Sequence, residues 1–148
     1  MNTGHLTDCV KTIYVEFEAV AGTSTLTSEV VDMSGWDGVR FIALTGDATS
    51  GTVLTLTSLS NTANSASGGT SEAVATYTST GATDADNKLL ITDVVRPGGR
   101  YAYATLARAT QNCVVNGIIC ELYRARSLPV TQDTGVLAHT EAVKGGAV

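Results

Sequence analysis

Along most of the chain apolar side chains recur at every second position, and no stretch shows the three-to-four-residue spacing of a helix. Successive side chains of a strand point to opposite faces, so this period makes half-buried strands. The clearest case is Leu89–Val95, rich in aliphatic and β-branched residues, which is followed by Arg96-Pro97-Gly98-Gly99. Proline fixes φ and lacks an N–H, and the two glycines can take positive φ, so the chain turns here. It leaves at Arg100 with Tyr101, Tyr103 and Thr105 on one face and Ala102, Ala104 and Leu106 on the other. The spacing predicts two strands meeting at a corner.

The remaining chain reads in the same way. Lys11–Val20 alternates, with Ile13, Val15 and Phe17 on one face, and Ala21–Ser24 turns the chain. Thr25–Val31 is a weaker strand rich in Thr and Ser, and Asp32–Gly38 is a loop carrying Trp36. Val39–Leu44 is a compact strand with Arg40 outward, Thr45–Gly51 a turn, and Thr52–Leu59 a strand interleaved with threonines. Asn61–Thr70 holds no large apolar side chain and reads as an exposed excursion. Glu72–Thr78 is a strand, Ser79–Asp86 a loop, and Ala109–Asn112 a tight connection into the last strand, Cys113–Tyr123. Asn116-Gly117 inside that strand reads as a bulge, because a hairpin would leave its flanks very short. About eight short strands joined by turns predict an all-β domain, an antiparallel β-sandwich of jelly-roll or Greek-key type. The expected organisation is an N-terminal arm over 1–10, the sandwich over 11–126 and an extended C-terminal tail over 127–148. The tail is made of small residues that cannot build a core.

Composition narrows the function classes. A chain of 148 residues suits one domain with a sizeable core. Its formal charge of −5 repels nucleic acid, so no contact with DNA is expected. No apolar run approaches the roughly 20 residues that span a bilayer, and Met1–Asp8 lacks the basic and apolar regions of a secretion signal. No membrane partner is expected. Cys9, Cys113 and Cys120 are odd in number and widely spaced, so free thiols are expected rather than a disulfide framework. In an unbroken strand Cys113 and Cys120 would also face opposite sides.

No residue pattern carries catalysis. Gly98-Gly99 lies between strands, where a dinucleotide-binding loop needs a following helix. His5 and His139 fall in the arm and tail, away from any rigid scaffold for a triad. Asp84-Ala85-Asp86-Asn87 has some character of a calcium loop but reads as a turn. No catalytic, cofactor or metal site is expected. Tyr101, Tyr103 and Trp36 read as packing or as a subunit interface, with a sugar site as the alternative. Arg96, Arg100, Arg108, Arg124 and Arg126 are more than half of the nine basic residues and crowd together late in the chain. Two readings stand level: a solvated strand face, or a basic patch that docks on an acidic partner.

The succession Asp86–Leu90, Arg96-Pro97, Arg100-Tyr101 and Arg108-Ala109-Thr110-Gln111-Asn112 resembles small structural proteins from the head gene clusters of tailed bacteriophages. Those proteins resemble capsid decoration, or cement, proteins. The likeness extends back to Val31–Asp37 and forward to Pro129–Asp133, roughly two thirds of the chain. It implies a virion protein, made in the host cytoplasm, that binds the outside of the icosahedral head and cements neighbouring copies of the major capsid protein. It also implies self-association, most simply a homotrimer, since such proteins often occupy threefold positions. The expected interface residues are the five arginines, Tyr101 and Tyr103, with Leu128, Pro129, Val130, Val136 and Leu137 as anchors in the tail. The alternative is a carbohydrate-binding or receptor-binding head-fibre module on the same fold.

Overall fold

The computed structural model describes residues 5–142. Met1–Gly4 of the expected arm and residues 143–148 of the expected tail, with the Gly145-Gly146 pair, lie outside the described residues. A single helical turn, α1 (Leu6–Cys9), precedes ten strands. They are β1 (Lys11–Glu16), β2 (Ala19–Gly22), β3 (Leu26–Thr27), β4 (Val31–Asp32), β5 (Trp36–Ala48), β6 (Val53–Asn61), β7 (Thr70–Thr78), β8 (Leu89–Val95), β9 (Tyr101–Ala109) and β10 (Cys113–Ala125).

The strands form two antiparallel sheets. The first runs β1-β10-β5-β8, with β2 also pairing β10; the second runs β3-β9-β6-β7, with β4 also pairing β9. After β4 the chain passes from one sheet to the other at every connection except β6 to β7, which makes a β-sandwich of jelly-roll type. Alternation decides what fills it. Val39, Phe41 and Ala43 of β5, Ile118, Cys120 and Leu122 of β10, Leu54 and Leu56 of β6, and Ala104 and Leu106 of β9 meet in one core. Each large side chain among them contributes about 1.5–3 kcal/mol by leaving water. The Ser58 and Thr92 hydroxyls are buried between the sheets and hydrogen-bond each other, so neither is left unsatisfied.

The sandwich and its corner follow the sequence reading, and the structure refines the rest. The Arg96–Gly99 turn carries β8 of the first sheet into β9 of the second. The positive φ there belongs to Arg96 (56°), not to either glycine. Gly99 is required for another reason: a Cβ on it would lie 2.5 Å from the Asn61 backbone. Lys11–Val20 is two strands, because a register shift between Tyr14 and Glu16 ends the alternation. Phe17 is therefore 68% exposed, stacked on Tyr14 with ring centroids 5.5 Å apart. Thr25–Val31 is reduced to β3 and β4, because Ser28 Oγ accepts the Ala104 N–H in place of a regular ladder and Glu29 N–H donates to Val15 O. Trp36-Asp37-Gly38 and Thr45–Ala48, expected in loops, belong to β5, which lengthens to match β10 along its whole course.

Asn116-Gly117 is a bulge, with register shifts from Cys113 to Gly117 against β5. The extra residue changes the parity of β10, so Cys113 and Cys120 both point into the core. Both are free thiols, and burial pushes the pKa of each upward. The arm and the start of the tail are clasped together along the free edge of β1. Gln132 Oε1 accepts the Thr12 N–H at 3.0 Å, while its Nε2 donates to Thr7 O (2.8 Å) and Val10 O (2.6 Å). Val130 N–H donates to Asp8 O at 3.0 Å.

Candidate functional site

At one end of the sandwich the start of β5 and the Arg96–Gly99 turn enclose a cleft of about 600 Å³. Three arginines line it, Arg96, Arg100 and Arg126, with Trp36, Asp37 and Pro97 between them. Backbone bonds fix the rim: Arg96 N–H donates to Asp37 O (2.6 Å), Arg126 N–H to Gly35 O (2.9 Å) and Met33 N–H to Arg100 O (2.8 Å). Segments distant in sequence are thus tied to one another around the opening.

The three guanidiniums are unequally satisfied. Arg100 grips Asp32 with two bonds, Nε to Oδ1 at 3.0 Å and Nη2 to Oδ2 at 2.8 Å. That fork holds the Asp32 carboxyl below its ordinary range and raises Arg100, whose guanidinium also lies 5.1 Å from the centroid of the Tyr101 ring. Arg126 reaches Asp37 only at 3.5 Å. The Arg96 guanidinium has no hydrogen-bond partner among the described residues. Glu72 Oε1 accepts the Gly98 N–H at 2.8 Å, so three carboxylates, Asp32, Asp37 and Glu72, stand with the three arginines around this turn. The Arg96 guanidinium is the group in this cleft that a carboxylate or another anion could pair with.

A second, shallower cleft of about 350 Å³ adjoins it and shares Gly35, Trp36 and Arg126. Its far wall is the start of the tail, Pro129 and Val130. Beyond it Leu128 and Leu137 are exposed, Leu137 at 98%, and Val136 is half-buried. The tail anchors expected from sequence therefore begin beside the arginine cleft.

Two of the expected interface residues are withdrawn from the surface. Arg108 is 3% exposed and serves the interior, donating to Ser24 O, Val20 O and Cys113 O and to the Ser24 hydroxyl. Tyr103 does lie on the outer face of the second sheet, but the loop after β6 folds over it and leaves it 2% exposed. Its hydroxyl accepts the Gly69 N–H at 3.0 Å. Arg124 is exposed but stands outside the cleft, and Tyr101 is half-buried under Arg100. Asp84, weighed above as a calcium ligand, accepts the Ser79 hydroxyl (2.6 Å), the Thr80 and Gly81 N–H groups and the Tyr77 hydroxyl, which hold its carboxyl far below its ordinary range. Asp86 accepts the Ala48 N–H. Both carboxylates shape their loop. Asp32 and Asp37 escaped notice in the sequence, where each looked like an ordinary loop carboxylate.

No family model matches the chain, and no curated protein matches it. Among solved structures it is similar to the Eiger TNF of S. frugiperda, at 7% identity and a TM-score of 0.42, covering 84% of this chain and 99% of that one.

Proposed function

We propose that this chain is a structural virion protein of a tailed phage, binding the outer surface of the head and cementing neighbouring subunits of the major capsid protein. The observation that carries this reading is a convergence. Three segments that bear the resemblance to decoration proteins, Val31–Asp37, Arg96 to Tyr101 and Pro129–Asp133, come together at one end of the sandwich. There they form the arginine cleft and the root of the tail. The chemistry is binding alone. Arg96 and Arg126 meet carboxylates of the shell, and the exposed Leu128 and Leu137 add apolar anchors. Many copies, each joining more than one capsid subunit, strengthen the shell through multivalency. A homotrimer is the simplest assembly that presents several tails to a threefold position. The deciding experiment is co-sedimentation of the full chain with stripped heads. Saturable binding in fixed ratio to the major capsid protein is expected, and failure to sediment with heads at any concentration would refute the reading.

A carbohydrate-binding module is the second reading. It is favoured by one observation, that Trp36 lines both clefts with Arg126 beside it. Glycan-array binding by the free protein, abolished by Trp36→Ala, would select it.

A further inference from the structure

The chain holds a single Asn-Gly pair, Asn116-Gly117, and the fold places it at the bulge of β10. Asparagine followed by glycine is chemically labile, because no side chain obstructs closure of the Gly nitrogen onto the Asn carboxamide. The glycine cannot be exchanged here. Its φ is +143°, and a Cβ on it would collide with the Tyr14 hydroxyl. Asn116 is exposed and stands outside the ladders on both sides of β10. Val115 pairs with Ala19 and Thr45, Gly117 with Leu44 and Ile118 with Glu16, but Asn116 pairs with no residue of β1, β2 or β5. The bulge therefore frees the backbone of this one residue within a strand that is otherwise paired.

A second observation bears on the same atoms. A backbone amide nitrogen attacks only after it has lost its proton, and the resulting negative charge rests largely on the carbonyl oxygen of the same peptide unit. For the Gly117 nitrogen that oxygen is Asn116 O. Tyr14 Oη donates a hydrogen bond to Asn116 O at 2.8 Å. A fixed donor thus stands where charge develops, the arrangement that stabilises an oxyanion. The ring that carries it is held in place, stacked on Phe17 and lying across Gly117. The carboxamide itself is held only by one long bond, from Asn116 Nδ2 to Thr45 O at 3.2 Å.

We infer that Asn116 is a site of spontaneous covalent modification, promoted by the Tyr14 hydroxyl, and that the change loosens the first sheet as the protein ages. Hydroxide or water takes the Gly117 amide proton, and the nitrogen attacks Asn116 Cγ. The new N–Cγ bond closes a five-membered imide, the Cγ–Nδ2 bond breaks, and ammonia leaves with a proton returned from water. A second water opens the imide at either carbonyl, which gives aspartate or isoaspartate. No electrons are transferred, and water is the one co-reactant. Either product harms β10, the strand on which β1, β2 and β5 all pair. Aspartate can no longer donate to Thr45 O and sets a negative charge against it. Isoaspartate adds a methylene to the main chain beside the bulge that turns both Cys113 and Cys120 into the core.

The test uses the full chain without capsids, so it does not depend on the capsid reading. The protein is incubated in mildly alkaline buffer, folded or unfolded in urea, and peptide mapping by mass spectrometry follows the conversion of Asn116. The folded chain should convert at least as fast as the unfolded one, which lacks the Tyr14 donor. Tyr14→Phe keeps the ring over Gly117 and removes only the hydroxyl. It should slow conversion in the folded state by about tenfold, less than the full worth of an oxyanion donor because this site lies beside water, and leave the unfolded rate unchanged. Asn116→Asp, which supplies one product from the start, should melt at least about 2 °C below the fresh unaltered chain. Aged unaltered protein should approach that midpoint, while Asn116→Ser should not drift with age. A folded chain that protects Asn116 relative to the unfolded one overturns the inference. So does an unchanged folded rate in Tyr14→Phe, and so does converted protein that melts with the fresh chain.

Discussion

Arg108 shows what one position can do to a surface reading. Its charge has no carboxylate partner among the described residues; three backbone carbonyls and the Ser24 hydroxyl hold it inside. It ties the turn after β2 to the start of β10. Truncating it strips those acceptors of a charged donor, so Arg108→Ala should cost about 3 kcal/mol in urea unfolding. Arg108→Lys should recover only part, because an ammonium cannot reproduce the fork. A loss below about 0.5 kcal/mol, the level of an ordinary surface change, would contradict this. The position was legible in principle: Arg108 shares its parity with the buried Ala104 and Leu106. Residue type argued for the surface, and the period argued correctly for the interior. Asp84 yields a second expectation. The Ser79 hydroxyl above all, with the Thr80 N–H next, depresses its folded pKa below the ordinary 3.8. Its contribution is therefore complete above pH 3.8 and is lost as pH falls through the depressed value. The thermal midpoint of Asp84→Asn should lie below that of the unaltered chain near neutrality, with the gap closing on acidification below pH 3.8. A gap constant down to about pH 2 would place the effect elsewhere.

At the scale of elements, strands with strict alternation could be read from the residues, and those with interrupted alternation could not. Leu89–Val95 has the bounds of β8, because its apolar parity runs unbroken between turn residues. Phe17 was misplaced because the bulge after Tyr14 leaves no composition signal. β3 and β4 were overextended because Ser28 satisfies the Ala104 N–H with a side chain, a bond between residues far apart in sequence. The tail was similarly opaque. As composition it cannot fold alone, yet Gln132 and Val130 close the free edge of β1. A tail without a core of its own would let a cut after Ser127 leave the sandwich untouched, but the clasp ties it to β1. A chain ending at Ser127 should melt at least about 4 °C lower than the full chain, from the loss of about 1–2 kcal/mol of hydrogen bonding. A chain ending at Gly135 keeps Gln132 and should melt with the full chain. Gln132→Ala in the full chain should reproduce most of the loss; equal midpoints for all four proteins would show the clasp to be idle.

Across the whole molecule, polarity is distributed by direction. The outer face of the first sheet is aliphatic, that of the second is threonine-rich, and one end gathers three arginines beside an apolar tail. The crowding of arginines in sequence pointed to a patch, but only the fold showed which three share it, since Arg108 turns inward and Arg124 stands apart. If that end attaches to the head, its two components respond differently to salt. Attraction between exposed charges is screened over about 8 Å at physiological ionic strength, whereas apolar burial is not. Arg96→Glu with Arg126→Glu should weaken binding to stripped heads at least tenfold at low salt, and less in about 1 M salt, where the unaltered chain is itself weakened. A chain ending at Gly135 loses Leu137 and keeps the cleft, so its deficit should be the same at both salt concentrations. Combining the two changes should give additive losses, since the arginine cleft and the removed segment share no partner among the described residues. Equal salt dependence for the charge-reversed and unaltered chains would mean that the arginines do not face the partner. The attachment would then have to be sought on the tail alone.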